Sequence, residues 1–376
     1  MTYAGVGVDY DVMDPFKRMA QLAGRETAGN IVRFGFSEVE WSRGESCYLI
    51  ETQWGFIGFV VEGLGTKSIV ADLYRLATTM KSLTNRTFYD NVAQCNAAMA
   101  FNDMITLGAL PLTYGQYLAV GKSDWFNDEA RSRELIEGTK RACMLARCTW
   151  GGGETPTLKG IIVPGTADLA GATVGFATKD RIIRPDRIQH GDAIILIESL
   201  GIHANGLTLA REIATKLSPD PSHPELGYCA VLSDGRTYGE ALLDPTHIYV
   251  GLVEDCLTNG VDIHYAVNVT GHGWRKLMRA TQPFAYVIKT LPSQLPIFDF
   301  IQEHGPVDDK EAYGNLNMGA GFALYVPKKW APTTIRVAGR LGLKAILAGT
   351  VEQSAVKKVV ILPKNLEYLG STLGVR

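Results

Sequence analysis

The sequence predicts a two-domain α/β (α+β) protein, and three observations carry that prediction. The chain has 376 residues, of which 46% are hydrophobic and 20% charged, enough for a large buried core and most simply divided into two domains. A strand, a glycine turn and a helix follow one another in each half, first around Phe56 to Met80 and again around Asp192 to Leu217. Forty glycines, many of them clustered at apparent strand ends, suit an enzyme that binds phosphates in its loops.

The first unit organises the rest. Phe56 to Val61 is an apolar, β-branched run that stops at Glu62-Gly63-Leu64-Gly65-Thr66-Lys67, and Ser68 to Met80 puts Ile69, Leu73, Leu76, Ala77 and Met80 near helical spacing. Such a layout presents backbone N–H groups to an anion. Gly63 and Gly65 allow close approach to a phosphate, Thr66 offers a hydroxyl, Lys67 a point charge, and Glu62 a carboxylate able to hold a divalent cation against phosphates. The spacing is not that of a P-loop and lacks the third glycine of the dinucleotide fingerprint, so a plain connector is the competing reading of this turn taken alone.

Taken in order, Tyr3 to Asp11 is too rich in glycine and acid for a helix and reads as an ordered arm or loop. Strands are expected at Arg33 to Glu40, Cys47 to Glu51 and Gly55 to Val61. Phe88 to Gly108 reads as a long helix with Val92, Cys95, Met99 and Leu107 available to the core. Asn96 and Asp103 share one face of it, with Asn102 beside them. Polar groups on so apolar a helix need partners, either inside the fold or in a metal or phosphate. Pro111 to Val120 is a strand ending at Gly121-Lys122, and Asn127 opens a second helix that runs to Cys148. Gly151-Gly152-Gly153-Glu154-Thr155 reads as a tight glycine turn that brings backbone to a ligand, with Glu154 placed to bind a metal or accept a proton. Ala170 to Ala177 is the strand that ends the first half.

In the second half, Asp192 to Ser199 is a central-strand run and Leu207 to Leu217 an amphipathic helix. Between them, His203 and Asn205 lie in a glycine-bounded loop at the carboxyl end of the strand, where open α/β sheets bind ligands. Leu243 to Tyr249 is expected to start a helix, with Asp244 as its cap and Pro245 at the first helical position. Val269 to Trp274 is another glycine-rich turn, followed by RKLMRA; Ile297 to Glu303 is a short helix; Asn315 to Gly321 precedes the strand FALYVP.

Lys plus Arg number 37 against 39 Asp plus Glu, with no basic block, which speaks against nucleic acid or an anionic membrane as partner. No run of about 18 apolar residues offers a membrane span, and a cytoplasmic location is expected. The six cysteines are scattered without a C-x-x-C pair, as reduced structural thiols would be.

The order and spacing of these turns resemble the aminoimidazole ribonucleotide synthetases, the phosphoribosylformylglycinamidine cyclo-ligase family, over nearly the whole chain. YAGVGVDYD, EGLGTK, FNDMITLGALPL, YLAVGK, GGET, SLGIHANGLTLAR, LLDPTHIYV, VTGHGW and NLNMGAGF come in the family's order. The resemblance implies an N-terminal domain, residues 1–175, that binds ATP and metal and forms the core of a homodimer. A C-terminal α/β domain, residues 176–376, would complete the cleft. The implied reaction is ATP-dependent ring closure of formylglycinamidine ribonucleotide, with release of ADP and phosphate and with Mg2+ as cofactor. By the same resemblance Gly63, Gly65, Thr66 and Lys67 meet phosphate, with Asn102, Gly152, Gly153, Thr155 and Asn205 also at the nucleotide. Glu62, Asp103 and Glu154 would hold magnesium, Lys122 would meet developing charge, and His203 would face substrate or transferred phosphate.

Four positions depart from the family pattern. Glu62 stands where the family has Asp, and Cys95 where it has another Asp. Pro156 to Gly160 replaces Ala-Glu-Met-Pro-Gly, and His272 replaces a glycine. A divergent ATP-dependent homologue acting on another small substrate and a catalytically silent nucleotide-binding paralogue are therefore the alternative readings.

Overall fold

The computed structural model describes residues 5, 7 and 10–373, so most of the acidic arm Tyr3 to Asp11 lies outside the described residues. The chain forms two sheets, and the helices between their strands cover them. The strands of the first are β1 (Ser37–Glu38), β2 (Tyr48–Glu51), β3 (Phe56–Gly63), β4 (Leu110–Val120), β5 (Thr149–Glu154) and β6 (Ala167–Ala177). Their spatial order is β1-β2-β3-β6-β4-β5. All neighbours are antiparallel except β4 and β5. One row of the register sets the relative places of the candidate site residues: Glu62 of β3 and Gln116 of β4 both pair with Gly171 of β6, and Gln116 pairs with Gly153 of β5. Paired residues point to the same face of a sheet, one strand spacing of about 4.8 Å apart.

The helices of this half are α1 (Tyr10–Glu26), α2 (Lys67–Met80), α3 (Tyr89–Met104) and α4 (Glu129–Leu145). In α3, Tyr89 and every residue from Val92 to Met104 are buried. Helices hydrophobic on all sides belong inside, and α3 lies between the first sheet and the second half of the chain. Asp128 caps α4, its side chain accepting from the Arg131 N–H at 3.1 Å; the expected start at Asn127 is thus one residue early.

The second sheet takes β7 (Ala193–Glu198), β8 (Tyr265–Asn268), β9 (Phe284–Ile288), β10 (Ala320–Val326), β11 (Ala345–Gln353), β12 (Lys358–Ile361) and β13 (Leu366–Leu369) in the order β13-β12-β9-β11-β7-β10-β8. Around it lie α5 (Leu207–Leu217), α6 (Tyr238–Leu242), α7 (Val250–Thr258), α8 (Pro296–His304), α9 (Asp309–Asn315) and α10 (Ala331–Arg340). No helix of the described residues is long and apolar enough to cross a membrane.

Three expectations are corrected. Arg33 to Glu40 is mostly irregular: Arg33 and Phe34 end one 3-10 turn, Glu40 begins another, and only Ser37–Glu38 form a strand. Gly151 to Glu154 belongs to the exposed edge strand β5 rather than to a turn. Its glycines serve close strand approach, since a Cβ on Gly153 would stand 2.0 Å from the Gln116 carbonyl oxygen. Asp244 and Pro245 do not start a helix; α7 begins at Val250. Segment 244–249 is instead held by side chains of the first half.

Candidate active site

The two halves are joined by polar side chains along α2 and α3. Lys67, at the first position of α2, is fully buried. Its ammonium donates to the backbone carbonyls of His203 at 2.8 Å and Asp244 at 2.7 Å. Asn91 donates to the Leu243 carbonyl at 3.0 Å and Gln94 to that of Thr246 at 2.9 Å. The Cys95 thiol accepts from the Thr246 N–H at 3.2 Å. Asn102 donates to the His247 carbonyl at 2.7 Å and accepts from the Tyr249 N–H at 2.9 Å. A helix would have taken the carbonyls of Asp244 and the residues after it into its own ladder. Captured from outside, segment 244–249 stays non-helical, which is why the capping signal of Asp244-Pro245 goes unused.

Asn102 and Cys95 are thus committed to the seam, and Asn96 donates to the Tyr114 hydroxyl and the Ala170 carbonyl at 2.9 and 3.1 Å. His203 is buried near Tyr249, with ring centroids 6.5 Å apart. Burial first, then the neighbouring His247 and Lys67, holds its imidazole well below the ordinary histidine value and therefore neutral. Among the described residues, the Asn205 amide nitrogen, two residues after His203, and the Thr66 hydroxyl, just ahead of α2, are buried polar atoms without a hydrogen-bond partner.

The charged residues gather elsewhere, in a cleft of about 370 Å³ between the halves. Glu62 at the end of β3 and Asp103 near the end of α3 both line it. Burial, then the charge of Asp103, pushes the Glu62 carboxyl up to about 8. Asp103 accepts from the Asn268 amide at 2.7 Å. Lys17 and Gln21 of α1, Glu45 from the loop before β2, and Thr270, Gly271, His272, Lys276 and Arg279 after β8 complete the walls. Lys276 is buried and donates to the Thr270 hydroxyl. Burial lowers its ammonium, an effect opposed by the charge of Asp103 and reinforced by that of Arg279. His272 keeps φ at 69°, a left-handed value that glycine adopts freely, and so adds an imidazole to the wall where the family pattern has none.

Of the expected site residues, the cleft brings together Glu62 and Asp103. Gly63, Gly65, Thr66 and Lys67 continue from Glu62 into the seam. Lys122 is exposed beyond the end of β4. Gly152, Gly153, Glu154 and Thr155 line a different pocket, beside α4, and β5 is separated from β3 by two intervening strands. Lys17, Glu45, Lys276 and Arg279 are cleft residues that sequence reasoning does not single out. The basic pair at 276 and 279, three apart behind a glycine turn, is a signal that could have found those two; none marks Lys17 or Glu45.

Two family models match the chain: AIR synthase related protein, N-terminal domain, over residues 59–177, and AIR synthase related protein, C-terminal domain, over residues 189–361. The phosphoribosylformylglycinamidine cyclo-ligase of Symbiobacterium thermophilum is 32% identical over 369 residues, 93% of this chain and 95% of its own. That of Methanocaldococcus jannaschii is 35% identical over 294 residues, 78% of this chain and 77% of its own. Among solved structures, a HypE–HypF complex matches with a TM-score of 0.57 at 15% identity, covering 88% of this chain and 94% of that one. T. maritima PurL complexed with FGAR matches at 0.54 and 13% identity, over 86% of this chain and 46% of that one. These structures establish the fold alone.

Proposed function

Because this chain belongs to the AIR synthase related family, we propose that it catalyses ATP-dependent closure of the imidazole ring of aminoimidazole ribonucleotide from formylglycinamidine ribonucleotide. The observation that carries the reading is the likeness, over most of the chain, to cyclo-ligases at 32% and 35% identity, joined to one cleft that holds paired carboxylates among three cationic side chains. In this reaction the formyl oxygen takes the γ-phosphoryl group of ATP and ADP leaves. The amidine nitrogen then attacks the same carbon, and phosphate leaves as the ring closes.

The make-up of the cleft supports this reading. Phosphoryl transfer needs positioning and charge compensation more than covalent chemistry from the protein. Lys17, Lys276 and Arg279 place positive charge where phosphates would enter, and Thr270 and the backbone of Gly271 add polar contacts on the same wall. A divalent cation fits the carboxylate pair on the chemistry of its donors. Glu62 is held protonated by burial and by Asp103, and a cation between them would remove the repulsion. Magnesium bound by Glu62 and Asp103 would take its remaining ligands from phosphate and water, as that ion commonly does, and would supply Lewis-acid stabilisation of charge on the phosphates. No group of three or more His, Cys, Asp or Glu placed to hold a metal occurs among the described residues, so this ion would depend on the nucleotide for its retention.

The deciding assay incubates the chain with ATP, magnesium and formylglycinamidine ribonucleotide, following ADP and the imidazole product separately. Both should appear in equal amounts. ADP without imidazole would favour another acceptor, and tight ATP binding without ADP would favour a silent paralogue.

A homodimer is part of the proposal. What supports it is an apolar stripe on one face of the first sheet: Phe59 pairs with Val174 and Val61 with Ala172, and Val61 is 60% exposed. Apolar surface of this kind on a sheet commonly marks an interface. Sedimentation should give twice the chain mass, and Val61→Asp combined with Phe59→Glu should give a folded monomer. A monomeric wild-type chain would remove this part of the proposal.

A further inference from the structure

The C-terminal turn of α4 sets two cysteines against each other, independently of the ring-closure reading. The Arg147 N–H donates to the Met144 carbonyl at 3.1 Å and the Cys148 N–H to the Cys143 carbonyl at 3.0 Å. Arg147, at φ 55°, is left-handed. Two such bonds around a left-handed residue make a Schellman motif, in which the side chains of the first and last positions meet. Here both positions are cysteine. The 3.0 Å bond and standard backbone lengths keep the two Cα atoms within about 7 Å, and disulfides span roughly 4.4–6.8 Å. Both side chains belong to the same apolar cluster. Hydrogen bonding between the two thiols is the largest influence on each, holding Cys143 below its ordinary value and Cys148 above it, as suits an acceptor and its donor. Cys143 is 4% exposed and Cys148 half-buried, so solvent reaches the pair at Cys148.

We propose that Cys143 and Cys148 form a reversible redox site, oxidised to a disulfide by exchange with a small-molecule disulfide such as glutathione disulfide. One cysteine, as thiolate, attacks a sulfur of the small disulfide, whose S–S bond breaks to release one thiolate. The mixed disulfide stands at Cys148, the accessible sulfur. The Cys143 sulfur then attacks that of Cys148 and the second small thiolate leaves. Two protons given up by the cysteines end on the two released thiols; the chain is oxidised by two electrons and the small disulfide reduced by two. The bridge closes around Arg147, whose guanidinium donates to Glu254 at 2.6 Å and to Asp255 at 2.9 Å on α7. Cys148 is followed at once by β5. Oxidation therefore fastens the joint at which α4 passes to the edge strand and to the second half, and reduction leaves that joint to hydrogen bonds and ion pairs.

Trypsin cuts after Arg141, Arg147 and Lys159, so the two cysteines fall in separate peptides, 142–147 and 148–159, with one thiol each. The full chain, folded or unfolded in urea, is equilibrated with reduced and oxidised glutathione. Free thiols are then blocked with N-ethylmaleimide, and the digest is read by mass spectrometry. The two peptides should appear joined, and a reductant should part them. The equilibrium constant for closing the bridge should be roughly tenfold or more higher in the folded chain than in urea, since a bridge that stabilises a fold is favoured by that fold to the same degree. Cys148→Ser should abolish the joined species and Cys229→Ser should leave it unchanged. A lesser advantage of the folded chain, glutathione retained on Cys148 without joining, or no reaction of either thiol would overturn the proposal. None of these results bears on whether ADP and imidazole are formed, so the redox site and the reaction can fail separately.

Discussion

Replacing Asp103 by Asn is expected to lower ADP release by about 10³-fold or more, the scale seen when one preorganised electrostatic group is removed from a transition state. The substitution keeps an oxygen to accept from Asn268, the contact now made at 2.7 Å, so folding should change by no more than about 1 kcal/mol. What it removes is the charge. In the wild-type chain Glu62 and Asp103 meet closely enough for the Glu62 carboxyl to be pushed up to about 8, by burial first and Asp103 second. The neutral amide relieves that repulsion but leaves one carboxylate for a cation that needs two. Turnover and magnesium dependence, measured beside urea unfolding, separate these effects: activity falls while the unfolding midpoint holds. Near wild-type turnover in the amide variant would show that no cation is held at this pair.

Sequence patterns make the architecture legible more readily than the chemistry. Strand β3, its glycine turn and α2 stand where the apolar run and helical spacing put them, because burial of one face writes its period into the residues. Helix α3 is legible from its alanine and methionine content, which marks a buried helix. The partners of its polar groups are not. Asn96, Asn102 and Asp103 lie close together on one helix, yet two bind groups inside the fold and one faces the cleft. Nothing local separates these fates, since each depends on which distant segment packs there. Segment 244–249 shows the reverse error: Asp-Pro is a sound helix start locally, but the polar side chains of α3 take the backbone groups that a first turn would need. Glycines 151–153 read as a bend, because sequence shows that glycine is needed without showing whether φ or strand approach needs it. Lys276 and Arg279 escape notice because a basic pair after a turn is usually solvated; only the fold places it in one cleft with Glu62.

Replacing Lys67 by Met is expected to destabilise the chain by roughly 2–4 kcal/mol, since two buried carbonyl acceptors lose their donor. A surface lysine that reaches for a phosphate would cost almost nothing in stability when removed. This one is fully buried and commits two of its three N–H groups to His203 and Asp244. Those two carbonyls belong to different loops of the second half, so the ammonium fixes them relative to each other and to α2. The loss should also loosen the seam beyond the two bonds themselves, because the Cys95 and Gln94 contacts hold the same segment and contacts within one network couple. Urea unfolding and the ATP dissociation constant, measured on the same variant, tell the two roles apart. A lowered midpoint with nucleotide affinity changed less than about threefold, under ~0.7 kcal/mol, assigns Lys67 to the seam. An unaltered midpoint with lost ATP binding would place its charge on the phosphates, as the glycine turn by itself suggests, and would require the loops of His203 and Asp244 to move away when nucleotide binds.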